Sequence, residues 1–236
     1  MTTFVLVHGA WHGGWCWSRV ARALHQAGHT AHTPTLTGLG ERVHLMHRGV
    51  TLDTHVEDIV RVFEAEELSD VVLCGHSYGG MVITGVADRI AARIRSLVYL
   101  DAFVPTDGQN VLDDFQASDR AAFMRAEAAS KGGGWLIPPV PAARFKVNEA
   151  DQAWVDRRCV PHPLACFEQK LRLSGAHARV AKRVYIKAGA YVPSPFDAAF
   201  ERLKRDPAWK VHSIPCGHDV MVDRPQELAD VLIAVA

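Results

Sequence analysis

Short apolar runs recur along the chain and alternate with longer segments in which apolar residues return every three or four positions. Most of these runs are apolar nearly throughout, as parallel strands are when helices cover both faces of their sheet. The predicted strands are 3–8, 29–34, 70–75, 94–101, 183–189 and 209–215. The predicted helices are about 16–27, 53–66, 78–91, 196–205 and 225–235. The alternation indicates an α/β fold with a doubly wound, mostly parallel sheet.

The alternation is interrupted between Ala102 and Lys182, where no core strand is predicted. This interval contains a Gly/Pro-rich stretch, KGGGWLIPPVP, between two pieces of helical pattern, DRAAFMRAEAAS and PLACFEQKLRLSG. Because structureless loops longer than about 15 residues are rare in compact domains, we expect the insertion to be a helical lid. The predicted organisation is a core of residues 1–101 and 183–236 with a lid at 102–182.

Composition and charge narrow the possible functions. The 236 residues include 26 basic and 26 acidic ones, so no net field would attract nucleic acid or an anionic membrane. No apolar run reaches the roughly 18 residues needed to span a bilayer, and the first strand begins almost at Met1, so we expect a cytoplasmic protein. The five cysteines are odd in number and scattered, which favours reduced thiols over disulfides. A small molecule is the expected partner, and the oligomeric state is open.

The stretch VVLCGHSYGGMV carries the strongest chemical signal. It places a G-x-S-x-G motif at Gly75, Ser77 and Gly79, directly between a predicted buried strand and a helix of small and apolar residues. A turn this tight needs small neighbours around the serine and projects its hydroxyl from the carboxyl end of the sheet. The free N–H groups at the start of the helix favour a developing oxyanion there. Ser77 is therefore the predicted nucleophile.

Two further segments supply the expected partners of Ser77. The stretch VLVHGAWHGGW follows the first strand and would bring a backbone N–H to a substrate carbonyl, so the predicted oxyanion donors are the N–H groups of Ala10 and Tyr78. His218 follows the last strand and precedes the terminal helix, where an imidazole can reach the serine. Among the 13 histidines, His218 is therefore the predicted general base.

These segments, together with LVYLDAFVP, RVYIKAG and CGHDVM, resemble the α/β-hydrolase superfamily. Within it they are similar to the branch of plant methylesterases, hydroxynitrile lyases and related small bacterial esterases. The resemblance implies a Ser-His-acid triad, an acyl-enzyme intermediate, a lid and no cofactor. Larger members begin with a β-hairpin that is missing here, so the sheet is expected to have about six strands.

The position of the triad acid departs from this branch. Its well-known members place an Asp within a few residues of the strand that corresponds to RVYI, whereas residues 187–192 read KAGAYV here. Asp101 ends the run SLVYL, where a buried carboxylate would be costly without a partner such as a histidine N–H. The sequence resembles haloalkane dehalogenases at this point, several of which place their acid there. Asp101 is therefore the predicted acid.

Other acids remain open as alternatives to Asp101. Asp197 follows two prolines and is expected to cap a helix. Asp219 adjoins His218 in the chain, and neighbouring loop side chains tend to point apart. Asp223 could approach His218 only through a tight turn. We rank Asp219 and Asp223 below Asp101.

Weaker signals concern the pocket and metals. Trp11 beside the oxyanion loop, Trp135 in the Gly/Pro-rich stretch and Tyr191 near the missing acid are predicted to contact substrate. The spacing of Cys159, His162 and Cys166 resembles part of a zinc site, but it offers three ligands with prolines among them, so no metal is predicted.

The expected function is a serine hydrolase acting on a small uncharged ester, carbamate or lactone. A hydroxynitrile lyase is an alternative by resemblance, although such lyases carry a Lys beside the catalytic His where this chain has Asp219. A third possibility is a receptor that keeps the fold without turnover.

Overall fold

A parallel sheet of six strands, in the order β2-β1-β3-β4-β7-β8, forms the centre of the protein. The structure is a computed structural model that describes residues 1–113 and 119–236. The sheet strands are β1 (Thr3–Val7), β2 (Thr30–His32), β3 (Val71–His76), β4 (Ile94–Leu100), β7 (Lys182–Ala188) and β8 (Trp209–Ile214). A separate antiparallel pair is formed by β5 (Leu136–Ile137) and β6 (His162–Pro163).

Helices cover both faces of the sheet. In the described residues they are α1 (Ser18–Gln26), α2 (Leu52–Ala65), α3 (Gly79–Ile90), α4 (Arg120–Lys131), α5 (Glu149–Asp156), α6 (Leu164–Glu168), α7 (Asp197–Leu203), α8 (Val220–Asp223) and α9 (Pro225–Ala234). Short 3₁₀ turns lie at Gly14–Trp17, Gly40–Leu45, Ala91–Arg93, Ala142–Phe145 and Ala176–Arg179.

Alternating residues of each strand enter two different apolar layers. In β3, Leu73 packs in the layer that includes residues of α2 and α3, while Cys74 packs in the layer that includes residues of α1 and α9. Successive side chains of a strand point to opposite faces, so a strand buried on both faces must be apolar at nearly every position. This arrangement explains the continuous apolar runs in the sequence.

The predicted fold class is confirmed. All six predicted strands form the sheet, and the ends of the predicted strands and helices lie within two residues of those observed. The piece of helical pattern that begins at Pro163 is helical only over Leu164–Glu168, whereas Glu149–Asp156 forms a helix that was not predicted. Asn148 caps that helix by accepting the N–H of Asp151.

The insertion between β4 and β7 contributes no strand to the sheet in its described part. It contains α4, α5, α6 and the β5–β6 pair. Its division from the core as a lid stays a prediction. Within residues 1–113 and 119–236, no helix is long and apolar enough to cross a membrane.

The connection from β3 to α3 is a tight turn that carries Ser77. Ser77 has a φ of 54°, in the left-handed region that costs a non-glycine residue conformational energy. The turn brings the backbone so close together that a Cβ on Gly75 would lie 2.5 Å from the carbonyl oxygen of Gly79. A Cβ on Gly79 would in turn lie 2.8 Å from the carbonyl oxygen of Val7. Both glycines are therefore required by packing of backbone against backbone.

We expect Gly75→Ala to lower the free energy of unfolding by about 1–3 kcal/mol, because the added methyl group meets main chain that cannot move aside. Urea denaturation monitored by circular dichroism measures the change. The matched control is Gly49→Ala, where the added carbon meets only the exposed side chain of His47. Equal stability of the two variants would contradict the close packing of the turn.

Candidate active site

Ser77 and His218 line the same cavity, which has a volume of about 520 Å³. It opens at the carboxyl ends of the strands, because Ser77 follows β3 and His218 follows β8. Aromatic rings make up much of its wall, including those of Phe103, Phe145 and Phe196. A largely apolar cavity with a few polar groups is typical of a small-molecule site.

The His218 ring is held by a buried hydrogen bond to Asp101. Its Nδ1 lies 2.7 Å from Oδ2 of Asp101, and the Asp101 side chain is completely buried. Because a carboxylate only accepts, Nδ1 carries the proton and Nε2 is the ring acceptor. The backbone also fixes the loop, since the N–H of His218 donates to the carbonyl oxygen of Phe145 at 2.8 Å. The imidazole is thus oriented and able to accept a proton at Nε2.

The other oxygen of Asp101 is also occupied. Oδ1 accepts from Nζ of Lys187 at 3.1 Å and from the N–H of Ala188 at 3.2 Å. Asp101 has a φ of 40°, a left-handed conformation that is uncommon for a non-glycine residue. Its own N–H donates to the carbonyl oxygen of Ile186 at 2.7 Å. The carboxylate is therefore fixed by β7 on one side and by His218 on the other.

The alternative acids hydrogen-bond groups other than the His218 ring. Asp219 accepts from His12, and Asp223 accepts backbone N–H groups. Asp197 was predicted to cap a helix, but it is the first residue of α7 and Phe196 is the N-cap. The carboxylate of Asp197 contacts Lys187. Among the described residues, Asp101 is the acid that hydrogen-bonds the ring of His218.

Buried histidines shape the loop that follows β1. Nδ1 of His8 donates to the carbonyl oxygen of Gly9 at 2.8 Å, and Nδ1 of His12 donates to that of Ala10 at 2.7 Å. The N–H groups of Ala10 and Tyr78 have no hydrogen-bond acceptor within the described chain, and both residues line the cavity. Both N–H groups are thus available to a bound carbonyl oxygen.

The side chain of Tyr78 is anchored away from its backbone N–H. Its hydroxyl donates to Nδ1 of His55 at 2.9 Å, while Nε2 of His55 donates to the carbonyl oxygen of Thr37 at 3.0 Å. Burial lowers the pKa of His55 to about 4, so the ring is neutral and can accept a hydrogen bond from the tyrosine hydroxyl. His55 was not predicted as a site residue, because its only signal in the sequence is a polar residue on the buried face of a predicted helix.

A buried ion pair lies directly behind His218. Nε2 of His12 lies 3.1 Å from Oδ2 of Asp219, and both side chains are buried. Burial alone would lower the pKa of His12, but the charge of Asp219 raises it well above 6.5. Burial would raise the pKa of Asp219, but attraction to His12 lowers it from 3.8. The pair therefore links the loop after β1 to the loop that carries His218.

Two of the predicted pocket residues line the cavity and one does not. Trp11 and Tyr191 are in its wall. Trp11 is fixed by a hydrogen bond from Nε1 to the carbonyl oxygen of Ile137 at 3.1 Å. Trp135 does not line the cavity, and its ring lies 5.1 Å from the guanidinium of Arg48. Trp135 was predicted to contact substrate, but the direction of its ring depends on side-chain contacts that the sequence does not show.

In the described part of the chain, two buried clusters have potential metal-donor atoms within 4.8 Å of one another: His55, His162 and Cys166, and His76, His218 and Asp219. Cys159 belongs to neither group. Most of these side chains already have hydrogen-bond partners, including Val50 for Cys166 and Asp101 for His218. Nε2 of His162, Nδ1 of His76 and Oδ1 of Asp219 are nevertheless buried without a hydrogen-bond partner in the described residues.

Comparison with known proteins agrees with this architecture. The sequence model of the alpha/beta hydrolase family matches residues 4–231. The carbendazim hydrolyzing esterase of Nocardioides sp. is 52% identical over 243 residues, covering 100% of both chains. The alpha-hydroxynitrile lyase of Arabidopsis thaliana is 27% identical over 99% of this chain and 96% of the lyase.

The fold is shared with solved structures. An extracellular alpha/beta-hydrolase from a Paenibacillus species has a TM-score of 0.88 at 24% identity and covers 100% of this chain and 99% of that one. The chain belongs to the alpha/beta hydrolase family, which confirms the predicted resemblance. It is an enzyme of esterase type within that family.

We expect Asp219→Asn to lower the free energy of unfolding by about 3–5 kcal/mol, because it leaves His12 buried without its charged partner. The loss should be greatest between pH 3.8 and 6.5, where the pair is charged in the folded protein. Above pH 6.5 the contribution of the raised His12 pKa declines as pH approaches the folded-state value. Below pH 3.8 the contribution of the lowered Asp219 pKa declines in the same way.

Urea denaturation at pH 5.5 and at pH 8.5 measures this difference. Asp230→Asn, which changes an exposed acid on α9, is the control and should alter stability by less than about 0.5 kcal/mol. A loss for Asp219→Asn that does not depend on pH would contradict the ion pair.

Proposed function

We propose that the protein is a serine hydrolase that cleaves a small uncharged carboxylic ester, carbamate or lactone through an acyl-enzyme intermediate. The observation that carries this proposal is the 2.7 Å hydrogen bond from His218 to the buried Asp101, at a cavity that Ser77 also lines. An oriented imidazole that lines the same cavity as a serine on a tight turn can approach and activate its hydroxyl for attack.

In the proposed reaction, Ser77 Oγ attacks the substrate carbonyl carbon while His218 Nε2 takes the hydroxyl proton. Asp101 stabilises the imidazolium that forms. The N–H groups of Ala10 and Tyr78 donate to the oxyanion, and His218 then returns the proton to the leaving group. Water, activated by the same imidazole, attacks the acyl carbon and frees Ser77.

The surroundings favour negative charge at the carbonyl oxygen. The unpaired N–H groups of Ala10 and Tyr78 belong to backbone that is fixed before substrate binds, so little reorganisation is needed in the transition state. Tyr78 directly precedes α3, whose amino end adds a favourable dipole. Removing one such donor in other hydrolases costs about 10²–10³-fold in kcat.

The substrate we favour is a methyl carbamate or ester of a planar aromatic group. The relative that is 52% identical is named for hydrolysing carbendazim, which is the methyl carbamate of an aminobenzimidazole. The aromatic rings of Trp11, Phe145 and Tyr191 in the cavity wall suit a flat ring system. A volume of about 520 Å³ lies within the usual range for a ligand of this size.

The alternatives have less support. A lysine beside the histidine would favour cyanide release, but Asp219 occupies that position and is paired with His12. Cyanide release from mandelonitrile above the blank would revive the lyase hypothesis. A receptor without turnover would not need an oriented Asp101–His218 pair at the cavity that Ser77 lines.

We expect Ser77→Ala to lower kcat for p-nitrophenyl acetate and for carbendazim by at least about 10³-fold, because the variant lacks the nucleophile. Stopped-flow measurement should show a burst of p-nitrophenol with the parent and none with the variant. Mass spectrometry after treatment with a phosphonate should show one stable adduct, at Ser77.

The control for this experiment is Ser130→Ala, which changes an exposed serine on α4 and should leave kcat unchanged. Hydrolysis of p-nitrophenyl acetate by Ser77→Ala at the parent rate would rule out the proposed mechanism. Activity on p-nitrophenyl acetate without activity on carbendazim would rule out only the substrate preference.

We expect Asp101→Asn to lower kcat by up to about 10⁴-fold, because the amide cannot stabilise the imidazolium and favours the wrong tautomer of His218. Steady-state kinetics with p-nitrophenyl acetate measures the loss. The control Asp223→Asn should retain the parent kcat. An unchanged kcat in Asp101→Asn, with loss in Asp197→Asn or Asp223→Asn, would place the acid elsewhere.

A further inference from the structure

Lys187 is a buried cation in contact with the Asp101 carboxylate. Only 4% of its side chain is exposed. Its Nζ lies 3.1 Å from Oδ1 of Asp101, opposite the oxygen that His218 uses. Lysine is almost never fully buried without a partner, because removing the ammonium group from water is costly. The cost of burying Lys187 therefore indicates that its contact with Asp101 does more than fill space.

The same ammonium group holds the segment that follows β7. Nζ of Lys187 donates to the carbonyl oxygens of Ala188 and Tyr191, each at 3.2 Å, and lies 3.3 Å from Oδ1 of Asp197. Tyr191 and Phe196 of this segment line the cavity, and their rings lie 5.0 Å and 5.4 Å from that of His218. One side chain thus connects the carboxylate to a wall of the cavity.

We propose that Lys187 is a positioning residue for the proposed hydrolysis: it fixes the Asp101 carboxylate toward His218 and holds residues 189–197 as a cavity wall. This inference rests on the proposed function, in which Asp101 is the acid. The ammonium group acts through Asp101 and does not contact the reacting atoms.

The charge of Lys187 also limits how strongly Asp101 stabilises a protonated His218. The carboxylate lies between two cationic partners once the imidazole is protonated, so part of its field is offset by the lysine. Removing the lysine charge should therefore stabilise the imidazolium and extend the inactive, protonated form to higher pH. Protonation of Asp101 itself would also be favoured, and it acts in the same direction on activity.

Replacing Lys187 leaves the other titratable and charged groups near His218 unchanged. Those facing the ring or the cavity are His76 on β3, Asp219 with its partner His12, Tyr191 after β7, and Arg120, Arg144 and Lys146 in the cavity wall. A change in the pH profile on replacing Lys187 alone therefore reports the lysine charge.

The experiment compares Lys187→Met with Lys187→Arg and with Lys210→Met, an exposed lysine on the neighbouring strand β8. We expect the acidic limb of the kcat/KM profile for p-nitrophenyl acetate to move up by about one pH unit in Lys187→Met, the scale of one nearby charge at an effective dielectric of about 20. Lys187→Arg should retain the parent profile, because it keeps the charge, and Lys210→Met should match the parent.

A second variant changes the same cluster of charges without replacing the buried lysine. Asp197 is 42% exposed, and Asp197→Asn removes a negative charge that offsets Lys187. We expect its acidic limb to move down, by a few tenths of a pH unit because solvent screens the site. This opposite shift remains measurable even if Lys187→Met does not fold.

The outcomes separate this inference from the proposed function. Unchanged activity in Ser77→Ala or Asp101→Asn overturns the proposed function itself. Activity that depends on both residues, with acidic limbs at the parent pH in Lys187→Met and Asp197→Asn, overturns the role of Lys187 alone. A lower kcat in Lys187→Met with an unshifted limb likewise leaves Lys187 as a structural residue only.

Discussion

A buried carboxylate must be surrounded by donors, and the need to satisfy Asp101 organises this end of the sheet. The side chain is completely buried, where an ionised group without partners would cost several kcal/mol. Its partners come from the two strands after β4 in the sheet order: Lys187 and Ala188 from β7, and His218 from the loop after β8. Because the strands are parallel, all of these groups meet at one edge. The position of His218 and that of the cavity wall follow from this one requirement.

Buried histidines perform a second structural task on the opposite side of Ser77. His8 and His12 donate to consecutive carbonyl groups in the loop after β1, and His55 holds the hydroxyl of Tyr78. The first two bonds fix the loop that contains the N–H of Ala10, and the third fixes the side chain of Tyr78. Imidazole suits this role because it can donate and accept at once when neutral, as His55 does, and can donate from both nitrogens when protonated, as His12 does beside Asp219. The high histidine content of the chain thus reflects shaping of the site as well as proposed catalysis.

Much of this arrangement could be predicted from sequence because it depends on local patterns. The apolar runs predicted the strands, since a strand buried on both faces has little choice of residue. The motif around Ser77 predicted the turn, since only glycine fits at positions 75 and 79. The contact between Asp101 and His218 was also predictable, because parallel strands bring their ends to one edge. The ring direction of Trp135 and the partners of Lys187 were not, because both depend on side-chain contacts across distant segments.

The segment after β7 has no acid at residues 187–192, where the resemblance predicts one, and this absence has a physical consequence for the cavity. An acid in that segment would have to point at the histidine, and the backbone around it would be constrained to that purpose. With Asp101 as the proposed acid, Tyr191 is free to present a ring 5.0 Å from that of His218. The segment still needs an anchor, and Lys187 provides one through the carbonyl oxygens of Ala188 and Tyr191. A negative charge on Asp101, at the end of β4, makes a cation on β7 favourable. That cation, Lys187, also stabilises the aromatic wall formed by the segment after β7.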